Sequence, residues 1–142
     1  HIDNWIGILL GKRPEACSMN GKCSIQFVVE GDGSVYPCDF YVTDQWKLGN
    51  VANDSFAKLL RSEKACAFVS ASKVLPEECK ACPIVRLCRN GCRRDRPVLP
   101  SGVPGKTCFC DAHRRFFAAR QPQILDARNR ILQMRKSALQ QK

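Results

Sequence analysis

Cys79-Lys-Ala-Cys82-Pro-Ile-Val-Arg-Leu-Cys88-Arg-Asn-Gly-Cys92 places four thiols within fourteen residues, and how these sulfurs are used decides the fold. Six more follow from working outward: Cys17 and Cys23 with five residues between them, Cys38, Cys66, and the doublet Cys108-Phe-Cys110. Ten Cys in a 142-residue chain suit either a disulfide scaffold or clustered thiolate ligands, and tight clustering favours metal. A chain this short buries only a modest apolar core, so ligation has to order what packing does not. Zinc sites usually pair two Cys-x2-Cys knuckles, and only Cys79 and Cys82 form one. Ten thiols instead fill two four-thiolate iron–sulfur sites with two to spare.

Charge follows the cysteines. The net charge of +10 divides into −2 for residues 1–78, +6 for 79–110 and +6 for 111–142. A basic patch suits nucleic acid, yet a four-iron cluster held by four thiolates is an anion, and Arg89, Arg93, Arg94 and Arg96 can compensate it. Aromatic residues for base stacking do not interleave with these arginines, Phe109 being the nearest. Hydrophobic content of 44% and charged content of 25% exclude wholesale disorder. The longest early apolar stretch, Trp5 to Leu10, is too short to span a bilayer.

Periodicity predicts an α+β chain that is loop-rich, with a β-hairpin, several short helices and a C-terminal helical segment. Ile2, Trp5, Ile6, Leu9 and Leu10 share one face of a helix over residues 2–12, stopped by Gly11 and Pro14. Ser24 to Glu30 and Ser34-Val35-Tyr36 read as antiparallel strands around a Gly31-Asp-Gly33 turn, which returns Cys23 and Cys38 to the same end. Asn53 or Asp54 caps a helix carrying Phe56, Leu59 and Leu60, and Ser62 caps another holding Ala65, Cys66, Phe68 and Val69. Cys66 there reads as a core thiol and His113 as a solvated helix residue. From Cys79 to Cys110 the Pro and Gly residues are too frequent for long elements. One helix runs from Asp111 through Phe117, and a second starts after Pro122.

The run Phe27-Val-Val-Glu-Gly-Asp-Gly-Ser-Val-Tyr-Pro-Cys-Asp-Phe-Tyr-Val-Thr-Asp-Gln-Trp-Lys-Leu-Gly-Asn50, followed by the Cys79 to Cys92 pattern and Arg-Arg-Asp95, resembles the C-terminal SPASM domain of anaerobic sulfatase-maturating enzymes. Those are radical S-adenosylmethionine enzymes that oxidise a Ser or Cys of a sulfatase to Cα-formylglycine. The resemblance covers roughly residues 1–120. It implies that Cys17, Cys23, Cys38 and Cys92 hold one [4Fe–4S] cluster and that Cys79, Cys82, Cys88 and Cys110 hold a second. Cys108 stands as an alternative to Cys110. It implies that Asp39 is the catalytic base, a role that burial beside an anionic cluster would suit, since both favour the protonated form of a carboxylate. Residues 1–16 become a linking helix from an N-terminal radical domain, 17–121 the SPASM domain and 122–142 a helical tail. That radical domain would hold a third [4Fe–4S] cluster and S-adenosylmethionine. Its Cys-x3-Cys-x2-Cys motif does not occur in this sequence, so the chain alone is expected to be inactive. The implied partner is a sulfatase polypeptide, the implied location cytoplasmic, with neither membrane nor nucleic acid involved. Two alternatives stay open: a zinc-stabilised basic interaction or nucleic-acid-binding module, and the SPASM domain of another peptide-modifying radical enzyme.

Overall fold

Trp5 and Ile8 lie on one side of a first helix, α1 (Ile2–Leu9), and that side is buried. It packs against Phe117 and Ile124 of a long C-terminal helix, and Met19 completes the cluster. Trp5 meets the rings of Phe116 and Phe117 at 4.9 and 4.8 Å. The two ends of the sequence therefore build one apolar core. The molecule, a computed structural model, is described over residues 1–100 and 104–140.

Between these ends lies a small antiparallel sheet of β1 (Val28–Val29), β2 (Ser34–Tyr36) and β3 (Gly49–Asn50), in the order β1-β2-β3. Val28 pairs with Tyr36 and Val29 with Val35. The predicted hairpin is present, but its first strand is two residues long rather than seven. Only the Gln26 N–H, donating to the Pro37 carbonyl at 2.8 Å, extends the pairing toward the cysteines. Further back, the Cys23 N–H turns to the Ser72 hydroxyl at 2.8 Å and leaves the sheet. Gly33 has φ +80°, where an added Cβ would also lie 2.9 Å from the Asn50 side chain. The turn therefore needs glycine there. The third strand was not predicted, because Leu48-Gly-Asn50 carries no strand propensity of its own. It forms through Val35, which pairs with Gly49.

Helices α2 (Phe56–Leu60) and α3 (Glu63–Ser72) follow. Ser55 caps α2, not Asn53 or Asp54 as predicted. Asp54 is engaged elsewhere, accepting from the Asn50 N–H at 3.2 Å and the Lys58 ammonium at 2.7 Å. Ser62 caps α3 as predicted. Cys66, however, is exposed. Ala65, Phe68 and Ser72 take the buried face of α3, which turns position 66 roughly 100° away from it.

Among its described residues the Pro/Gly-rich region keeps only short elements, as predicted: α4 (Glu77–Lys80), α5 (Val85–Cys88) and a 3-10 turn at Arg93–Asp95. The last helix, α6 (Cys110–Gln140), differs from the reading. It runs without a break through Pro122, where two helices were predicted. Proline removes one N–H donor, and the exposed position leaves the freed carbonyl of the preceding turn to water. Packing of Phe117 and Ile124 on α1 spans the proline and outweighs the local cost. Among the described residues no helix is long and apolar enough to cross a membrane.

Candidate iron–sulfur site

Antiparallel pairing brings Cys23 and Cys38 to one end of the hairpin, and two other segments come to meet them. Cys17 opens a 3-10 turn (Cys17–Met19), and Cys92 precedes the turn at Arg93–Asp95. Cys17, Cys23, Cys38 and Cys92 all line a single recess with Asp39, Tyr41, Phe68, Arg93 and Arg96. Burial pushes the Cys38 thiol up to about 11, and the neighbouring Asp39 carboxylate adds to the rise. Burial also raises Cys23. Iron ligation has to displace those protons.

Cys79, Cys82, Cys88 and Cys110 come from α4, the turn after it, α5 and the start of α6. Burial raises the Cys79 and Cys88 thiols, and Cys110 and Cys82 stand near enough to push both further up. Cys110 is half-buried beside this group, whereas Cys108 is exposed. All ten cysteines are free thiols. Two groups of four soft donors with arginines beside them fit iron–sulfur clusters in ligand type, number and charge.

Asp39 opens the 3-10 turn Asp39–Tyr41 directly after Cys38. Its Oδ1 accepts from the Phe40 N–H at 3.1 Å and from the Cys38 thiol at 3.2 Å. The carboxylate is exposed on this chain, contrary to the expected burial. It borders the recess without being covered by it.

The arginines are used differently from one another. Arg93 sits 5.2, 4.7 and 5.0 Å from the ring centres of Tyr41, Trp46 and Phe68, and Arg94 lies 4.0 Å from that of Phe40. Aromatic partners absent from the local sequence thus arrive from residues 40–68, already engaged with arginine and with one another. His113, read as solvated, is half-buried, its ring 6.4 Å from Trp5 and its Nδ1 3.4 Å from the Cys88 sulfur. Burial lowers its pKa.

Asn90 was not singled out from sequence. Arg89, Asn90 and Gly91 have φ of 49°, 63° and 60°, so the three residues between Cys88 and Cys92 form a left-handed turn. Asn tolerates that region better than most residues. The buried Asn90 side chain donates to the Gly105 carbonyl at 3.2 Å and accepts from the Thr107 N–H at 2.7 Å, tying the turn to the approach of Cys110. The dipeptide Asn90-Gly91 was the available signal. Asn90→Ala is expected to cost about 2–4 kcal/mol, from a stranded Thr107 N–H and a strained φ, read as a lowered denaturant midpoint of the iron-loaded protein. An unchanged midpoint would mean that this tie carries no stability.

The small sheet, short helices and two thiol groups define a class of protein, the SPASM iron–sulfur domain, and residues 17–83 match the SPASM family, described as an iron–sulfur cluster-binding domain. The chain is 44% identical over 124 residues to a cysteine-type anaerobic sulfatase-maturating enzyme of Clostridium perfringens, covering 87% of this chain and 33% of the relative. It is 30% identical over 118 residues to a serine-type anaerobic sulfatase-maturating enzyme of Bacteroides thetaiotaomicron, covering 82% of this chain and 28% of the relative. The solved structure of native anSMEcpe with bound AdoMet and Cp18Cys peptide superposes with a TM-score of 0.84 at 42% identity, over 92% of this chain and 36% of that one. The chain belongs to the anaerobic sulfatase-maturating enzyme family, and it spans about a third of the length of these relatives.

Proposed function

We propose that this chain is the auxiliary-cluster domain of an enzyme that oxidises a Ser or Cys side chain of a sulfatase to Cα-formylglycine. One observation carries the reading: Cys17, Cys23, Cys38 and Cys92, distant in sequence, border one recess together with Asp39. Cys17, Cys23, Cys38 and Cys92 would hold one [4Fe–4S] cluster, and Cys79, Cys82, Cys88 and Cys110 the other. When bound, these clusters supply an electron acceptor beside the base. The hydrogen-atom abstraction that starts the reaction belongs to a radical domain with its own cluster and S-adenosylmethionine, outside these residues.

Asp39 has the part that this chain plays in the chemistry. Once a hydrogen atom has left the substrate's side-chain carbon, an Asp39 carboxylate oxygen takes the proton of the hydroxyl or thiol. That loss, with one electron passed to the acceptor, completes a two-electron oxidation to the aldehyde level; when the substrate is Cys the product is a thioaldehyde, which water converts to the aldehyde with release of hydrogen sulfide. The exposure of Asp39 on this chain suits a base that meets a polypeptide arriving from outside it. The hydrogen bond that Oδ1 accepts from the Phe40 N–H fixes the carboxylate while Oδ2 remains for the substrate.

Single thiol deletions test the ligand sorting. Cys92→Ala is expected to remove mainly the cluster assigned to Cys17, Cys23 and Cys38, so that iron falls by about half; Cys82→Ala removes the other. EPR of the two reduced variants should then show different remaining clusters. Identical residual spectra would refute the sorting.

A further inference from the structure

Arg96 is 6% exposed and carries a full charge into the interior. Its Nε donates to the Asn90 carbonyl at 2.9 Å, Nη1 to the Ser72 carbonyl at 2.7 Å and Nη2 to the Gly91 carbonyl at 2.8 Å. Those acceptors are neutral. Among the described residues no carboxylate pairs with it, and the neighbouring Asp95 faces Arg94 at 3.8 Å. A buried cation with hydrogen bonds but no countercharge is costly unless an anion stands nearby.

The carbonyls it grips identify that anion. Asn90 and Gly91 form the turn joining Cys88 of one thiol set to Cys92 of the other, and the hydroxyl of Ser72 holds the Cys23 N–H. Arg96 also lines the recess of the first set. Burial depresses its pKa, and the thiols that oppose this are Cys23, Cys92 and Cys79, drawn from both sets. It is thus fixed by backbone at the junction of two sites that would each be anionic.

We propose that Arg96 is a positioning residue that holds one shared positive charge between the two clusters and raises the reduction potential of both. The proposal rests on the cluster assignment above. Reduction adds negative charge to a cluster, so a fixed cation nearby favours the reduced form, and removing it shifts the midpoint negative.

The test compares Arg96→Gln and Arg96→Lys in the intact protein, reconstituted with iron and sulfide under anaerobic conditions and followed by EPR during a redox titration. With Gln, the ratio of reduced to oxidised cluster at the wild-type midpoint is expected to fall at least about tenfold, ~59 mV for a one-electron couple. Lys keeps the charge but cannot span three carbonyls, so its midpoints should stay nearer to wild type than those of Gln. Equal midpoints in both variants and the wild type would overturn the proposal and leave Arg96 a backbone clamp. If Gln holds no iron, Lys decides: retention by Lys supports the charge role, and equal loss from both variants overturns it. Wild-type protein that takes up no iron fails before any variant is compared, and it overturns the cluster assignment along with this inference.

Discussion

Asp39→Asn in the enzyme carrying this chain is expected to abolish formylglycine while iron content and S-adenosylmethionine cleavage persist. The amide keeps the shape of the carboxylate and can still accept from the Phe40 N–H, which the carboxylate meets at 3.1 Å. It cannot take a proton. Hydrogen abstraction precedes or accompanies that proton transfer, so 5′-deoxyadenosine should still form, uncoupled from aldehyde. Loss of a general base typically costs about 10²–10⁴-fold, which puts the product near background. An Asp39 that only shaped the turn after Cys38 would give a different result, because Asn serves in such turns nearly as well. Aldehyde at near wild-type rate from Asp39→Asn, with iron retained, would remove Asp39 from the chemistry and leave the thiol assignments untouched.

Iron removal is expected to release the segment from Cys79 to Cys110 before the rest of the protein. Apolar packing concentrates elsewhere, in Trp5, Ile8, Met19, Phe117 and Ile124 and around Val35, Leu59 and Phe68. Between Cys79 and Cys92 the elements α4 and α5 have four residues each, far below the length at which a helix sustains itself. Ile84 and Leu87 reach the edge of the Trp5 cluster, and the rest of their order depends on the thiols being tied together and on the contacts of Asn90 and Arg96. Metal–thiolate binding in small domains supplies on the order of 10 kcal/mol of folding free energy. Hydrogen exchange on iron-loaded and iron-free protein should therefore show the largest loss of protection at Cys79–Cys92, with α1 and the Phe117 to Ile124 part of α6 keeping theirs. Unchanged protection at Cys79–Cys92 would mean that the segment is ordered without ligation.

Part of the candidate site was legible because four of its thiols lie close together in sequence. Cys79, Cys82, Cys88 and Cys92 announce themselves by spacing, and Gly31-Asp-Gly33 between β-branched residues marks the turn that brings Cys38 back toward Cys23. Features that depend on distant partners were hidden. The Ser72 hydroxyl draws Cys23 out of the sheet, and no residue near Cys23 signals it. Arg96 bonds three backbone carbonyls, which every residue possesses and no sequence pattern distinguishes. The aromatic setting of Arg93 comes from Tyr41, Trp46 and Phe68, between 25 and 52 residues earlier in the chain. Cys66 was misread because an apolar-looking helix face was assigned from residue type, when the small Ala65 and Ser72 hold the buried positions. Pro122 was misread because its local cost was weighed without the packing of Phe117 and Ile124 on either side of it.

Whether the two thiol sets hold iron is decided by metal analysis together with Mössbauer spectroscopy on anaerobically reconstituted protein. About eight irons per chain are expected, with matching sulfide, all in the quadrupole doublets of [4Fe–4S] clusters. Stoichiometric zinc, with no iron–sulfide absorption in the visible, would contradict the cluster assignment.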